Sequence, residues 1–123
     1  MKKRLKTAVL GFGLMLSTGA LANERVPHFK GEPSETLTQA VANFSEYNQK
    51  LSGILEQDLT AENMARIHQL TYTIENAIAK IKEEVDTMAD NLEAVHIASE
   101  TMDTNTAKTK GKAYLEAAGT LIK

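Results

Sequence analysis

Cysteine and tryptophan are absent from this 123-residue chain, and proline occurs only twice. Without cysteine there can be no disulfide, no c-type haem attachment and no lipid-bearing cysteine at a processing site. Both prolines, Pro27 and Pro33, fall early, so everything after residue 33 lacks a helix breaker apart from Gly53, Gly111 and Gly119. Long apolar runs are missing as well. The one candidate, residues 8–16 (AVLGFGLML), is too short to span the ~30 Å of a hydrocarbon core.

That short run has the setting of an export signal. Lys2, Lys3, Arg4 and Lys6 precede it, and Ala20-Leu21-Ala22 follows with small residues at the two positions a signal peptidase reads. Residues 1–22 are expected to be a cleaved signal peptide, with the mature chain beginning at Asn23 in the periplasm and keeping no stable membrane anchor. All sixteen acidic residues lie in the mature part, against ten basic ones, a net charge of −6. Such a chain repels nucleic-acid phosphates and anionic bilayers alike. Its one basic cluster, Lys108, Lys110 and Lys112, reads as a solvated helix face.

Alanine, leucine, isoleucine, glutamate and lysine dominate the mature chain, which is a helical composition. Residues 23–33 (NERVPHFKGEP) read as an extended arm. Ser34 is placed to cap a first helix over residues 34–57, with Leu37, Val41, Phe44, Leu51 and Leu55 at 4-3 spacing and one polar entry at Asn48. Thr60 is placed to cap a second helix over residues 61–99. Its stripe of Ile67, Thr71, Ile74, Ile78, Ile81, Val85, Met88, Leu92 and Val95 holds the same spacing for four heptads, and the whole helix is about 58 Å long at 1.5 Å per residue. Asp90 is placed to cap a new helix, so a break between Asp86 and Asn91 is the alternative to one continuous element. The polar residues 103–106 form the next turn, and a third helix covers residues 106–122.

The expected fold is therefore all-α: an antiparallel helical hairpin or three-helix bundle with one long central helix. Antiparallel neighbours keep a nearly constant index sum. Leu51–Ile67, Asn48–Thr71 and Phe44–Ile74 give 118 or 119, and Leu92–Leu115, Met88–Ala118 and Val85–Leu121 give 206 or 207. In this register the polar entry of helix one, Asn48, meets that of helix two, Thr71, as a core pair that fixes alignment. Ala40, Tyr47 and Ile54 on helix one, with Leu70 and Ala77 on helix two, add a second apolar row that asks for a third layer. Either helix two bends so that helix three closes the bundle, or two chains pair.

Few residues invite chemistry. His68 and His96 are the ligand candidates of a haem- or metal-carrying bundle, but 28 residues of helix separate them by about 42 Å. Met64, Met88 and Met102 do not pair with either across helices in this register. Glu93-Ala94-Val95-His96 matches a ferritin-like Glu-x-x-His once, without its second copy. No nucleophile elbow, Gly-rich phosphate loop or His-Glu-x-x-His occurs. The composition points away from an enzyme and from a bound cofactor, toward a binding or structural role in the cell envelope. Phe29, Tyr47, Leu70 and Tyr72 are the expected partner surface, for another envelope protein or for a second copy. Docking of the arm on the bundle through Phe29 is expected over its use as a free recognition peptide.

The segments His28-Phe29-Lys30-Gly31-Glu32-Pro33, Ala42-Asn43-Phe44-Ser45-Glu46-Tyr47, Ile67-His68-Gln69-Leu70-Thr71-Tyr72-Thr73-Ile74-Glu75-Asn76, Val95-His96-Ile97-Ala98-Ser99-Glu100 and Lys112-Ala113-Tyr114-Leu115-Glu116 resemble a family of small exported proteins from Gram-negative marine and halotolerant bacteria. The resemblance spans nearly the whole mature chain, and His-Gln-Leu-Thr-Tyr-Thr is its most specific piece. It implies an envelope protein of unknown function and transfers no catalytic or ligand residue.

Overall fold

A computed structural model describes residues 29–122. The expected signal peptide (residues 1–22) and the start of the arm (residues 23–28) lie outside the described residues. Three helices follow the arm: α1 (Leu37–Leu55), α2 (Ala61–Glu100) and α3 (Thr104–Leu121). Among the described residues there is no strand, and no helix is long and apolar enough to cross a membrane.

Each helix starts on a side-chain cap. Thr36 Oγ1 accepts from the Gln39 amide at 3.1 Å, Thr60 Oγ1 from the Asn63 amide at 3.2 Å, and Asp103 Oδ1 from the Thr106 amide at 3.1 Å. Hydrogen bonds from Thr106, its side chain first and its amide second, hold the Asp103 carboxyl below its ordinary pKa. The first start corrects the expectation at Ser34. Thr36-x-x-Gln39 is a capping-box pattern, and Gln39 Oε1 reaches back to accept from the Glu35 amide at 2.9 Å. Ser34 Oγ is engaged elsewhere, accepting from Asn43 Nδ2 at 3.2 Å, as does the Pro33 carbonyl. At the other end, α1 stops at Leu55, two residues short of Gln57, whose side-chain amide instead donates back to the Gly53 carbonyl at 3.0 Å.

Helix α2 runs unbroken for 40 residues, so no break falls between Asp86 and Asn91. Met88 and Asn91 stay half-buried in one seam, and that continuity of packing overrides the local capping preference of Asp90. The helix ends without a glycine. Met102 takes a left-handed φ of 59°, and the Asp103 amide donates to the Ala98 carbonyl at 2.9 Å in a Schellman closure. This geometry starts α3 at Thr104, two residues before the expected residue 106.

Helix α1 packs on the N-terminal half of α2 and α3 on the C-terminal half, both antiparallel to it. The start of α1 meets the end of α3, where Thr38, Val41 and Ser45 line a groove with Gly119 and Thr120. A Cβ built on Gly111 would lie 3.7 Å from a Val95 methyl, and that pair sums to 206, in the register expected for α2 and α3.

The α1–α2 seam differs from the expected stripe. Leu37 and Ile74 are buried as expected, but Leu55, Met64 and Ile78 are half-exposed. Ala40, Ile54 and Ala77, from the second row, are buried in their place. Alanines on facing helices let the backbones approach, which centres the contact on the small residues. The expected Asn48–Thr71 core pair is also not made: among the described residues no hydrogen bond joins them. Thr71 Oγ1 donates instead to the His68 carbonyl at 2.8 Å, the local bond a helical threonine can always make.

Met102 is 80% exposed, and its Cβ makes the left-handed backbone of the closure costlier than a glycine would. Met102→Gly is expected to raise stability by about 1 kcal/mol. Urea unfolding of the two proteins, followed by circular dichroism at 222 nm, measures the difference.

Candidate functional site

The arm is held against α2 by hydrogen bonds rather than by bulk apolar contact. The Glu32 amide donates to Thr73 Oγ1 at 2.9 Å, and Asn76 Nδ2 donates to the carbonyls of Lys30 and Glu32, both at 3.0 Å. Thr73 is 1% exposed, so this bond satisfies a hydroxyl cut off from water. Thr73 and Asn76 are three residues apart and therefore share a face of α2.

Between the clasped residues the chain passes so close to α2 that no side chain fits. Gly31 has a φ of +68°, and a Cβ there would sit 2.7 Å from the Thr73 amide nitrogen and 2.9 Å from the Tyr72 carbonyl carbon. Both are backbone atoms of a packed helix and cannot yield. Glycine is thus required twice, for the left-handed turn and for the approach.

The clasp delivers Phe29 to the aromatic side of α2. Its ring lies 6.4 Å from that of Tyr72, edge to face at 62°. Tyr72 meets His68 in turn edge to face, with centroids 5.2 Å apart and the planes at 82°, and its hydroxyl is 3.3 Å from His68 Nε2. The arm therefore docks as expected, while Phe29 itself stays half-exposed.

Beside this aromatic row a cleft of about 460 Å³ opens between the C-terminal half of α1 and the first turns of α2. Phe29, Tyr47, Ile54 and Leu70 supply its apolar lining, and Lys50, Arg66, Gln57 and Gln69 its polar groups. No carboxylate lines it, although the chain as a whole is acidic. The Lys50 ammonium donates to Glu46 at 2.7 Å and sits 4.3 Å above the Tyr47 ring. The hydrogen bond to Glu46 raises its pKa, so it is a fixed cation and not a base. Among the described residues Arg66 makes no ion pair, which leaves its guanidinium available to an incoming anion.

The expected surface residues fall together. Phe29, Tyr47 and Leu70 line one cleft, and Tyr72 buttresses Phe29 from outside it. The ligand candidates do not converge. His68 and His96 stand on one unbroken helix about 42 Å apart, and His96 is exposed and 3.3 Å from Glu100 of its own helix. Among the described residues no three His, Asp or Glu side chains gather at one point. The residues missed from sequence are Gly31, Thr73 and Asn76 of the clasp and the polar groups of the cleft. Gly31 had a signal, a lone glycine in an otherwise stiff arm; Thr73 and Asn76 had none beyond their i, i+3 spacing.

The model of DUF6746, a family of unknown function, matches residues 1–123, and the chain belongs to that family. No curated protein and no solved structure matches it.

Gly31→Ala is expected to cost about 1–3 kcal/mol and to detach the arm, because the new methyl meets backbone and φ is left-handed. Thr73→Val keeps the shape but removes the acceptor of the Glu32 amide, for about 1–2 kcal/mol. In both variants nuclear Overhauser contacts between Phe29 and Tyr72 should disappear while α2 remains helical.

Proposed function

We propose that this chain is an exported, non-enzymatic helical protein of the periplasm that works by binding at the cleft between α1, α2 and the arm. The observation that carries the reading is the composition of that cleft. Four apolar side chains, two cations and two amides surround about 460 Å³, with no carboxylate, histidine or serine among them. That set can hold and orient a group but offers no nucleophile with a base beside it. The volume is in the range of small-ligand and anchor-residue pockets. Export is supported by the basic start, short apolar run and Ala20-Leu21-Ala22 of residues 1–22.

The arm gives the cleft a wall that does not belong to the bundle. Phe29 lines it only while the clasp on Thr73 and Asn76 is closed, so docking of the arm and occupancy of the cleft are coupled. A binding partner that fills the cleft gains contact with Phe29 and stabilises the docked arm.

Native mass spectrometry of the protein from a bacterial periplasmic extract tests the reading. The expected mass is that of a chain beginning at Asn23 with no haem or metal attached. A chain retaining residues 1–22 in the cytoplasm overturns the export reading. A stoichiometric haem or metal overturns the binding reading in favour of a cofactor carrier.

A further inference from the structure

The cleft changes character along its length. Helices α1 and α2 run antiparallel, so Gly53 and Gln57, late in α1, lie level with Arg66, early in α2. Tyr47, nearly two turns before Gly53, lies toward Leu70. Phe29 enters beside Tyr72, two residues beyond Leu70. One end is therefore aromatic and aliphatic, and the other holds a guanidinium and an amide. From Arg66 to Tyr72 the rise along α2 is about 9 Å. Ile54, 4% exposed, lines the cleft from the α1–α2 seam.

The two cations are not equivalent. Lys50 is held by Glu46 at 2.7 Å, and the carboxylate of Glu32 on the arm also acts on it, so its charge is answered within the protein. Arg66 is exposed, and among the described residues it makes no ion pair. The carboxylate nearest to it in sequence, Glu62, lies one turn away on the same helix and forms no bridge to it. At its level the facing helix carries no side chain: Gly53 lines the cleft, and a Cβ built there meets nothing within 4 Å. An unpaired guanidinium thus borders open space at the polar end.

We propose that, given this cleft as the binding site, its ligand is a small amphiphilic anion, a carboxylate on a short aliphatic or aryl-alkyl chain. The carboxylate takes the space left at Gly53, where the planar fork of Arg66 donates to both of its oxygens. The apolar chain runs toward Leu70, Tyr47 and Phe29. A volume of about 460 Å³ suits one such molecule. A cationic ligand finds no carboxylate in the lining to replace its water, and a wholly apolar one leaves the guanidinium end without a partner.

Chemical-shift titration of the protein with octanoate, 1-octanol and octylammonium, three probes that share a chain and differ in charge, tests this. Octanoate is expected to shift Gly53, Arg66 and the methyls of Ile54 and Leu70 saturably, with octylammonium and 1-octanol binding more weakly. Arg66→Gln should weaken octanoate on the order of 10-fold and leave 1-octanol unchanged. Gly53→Leu fills the space beside Arg66 and should abolish octanoate binding, with helical circular dichroism retained because leucine favours a helix over glycine. Octanoate bound as tightly by either variant as by the wild type overturns the proposal. Equal binding of the three probes overturns the anion and leaves the cleft a binding site. If none of them moves a cleft resonance, the proposal and the binding reading of the cleft fall together.

Discussion

One hydrogen bond decides whether the arm belongs to the fold. Thr73 carries the buried polar side chain among the described residues, and the Glu32 amide is the donor that reaches its hydroxyl. The Glu32 amide and the Thr73 hydroxyl, both withdrawn from water where the arm lies on α2, satisfy each other and hold the arm at one position along the helix. Gly31 allows that approach and Asn76 fixes the carbonyls on either side of it. From this anchor follow the placement of Phe29 against Tyr72 and the wall of the cleft.

The bundle itself is two hairpins sharing a helix. Helix α2 is the common member, α1 covers one half and α3 the other, and the covering helices meet only where one starts and the other ends. Neither hairpin buries more than a narrow seam, and alanines set the closeness of both. Such a molecule derives little from volume packing and much from caps, the Schellman closure and the clasp, each a local hydrogen-bond device worth about 1 kcal/mol. It also leaves long helical faces open, with Ile78, Val85 and Leu92 each close to half-exposed.

The periodicity of the apolar residues made the helices, their order, their antiparallel sense and the α2–α3 register legible in the sequence. Val95 against Gly111 agrees with the index sum drawn from Leu92 and Leu115. What failed was finer. Ser34 outranked Thr36 as a cap only because Pro33 precedes it; the capping box to Gln39 was present in the sequence and stronger. Apolar spacing alone runs the seam through the large residues Leu55, Met64 and Ile78, whereas helices approach along their small ones, here Ala40 and Ala77. The Asn48–Thr71 pair assumed that polar core residues find each other, and Thr71 found its own backbone. In the site, Tyr47 and Leu70 stand out in the sequence through their second apolar row and Phe29 through its place in the arm; these three line one cleft, while Tyr72, expected beside them, lies outside it. The clasp was not, because a threonine and an asparagine in a helix look the same whether they face solvent or a docked strand. Membership of DUF6746 gives the chain a family and leaves its activity to be read from these surfaces.

The most direct test of the clasp is the exchange rate of a single amide. In hydrogen-exchange NMR of the protein, the Glu32 N–H should be protected together with the α2 amides around Thr73, although it lies in a segment without secondary structure. Exchange of Glu32 at the rate of an unstructured peptide, with α2 still protected, would contradict the account, for then the arm is not part of the fold and the cleft loses its wall.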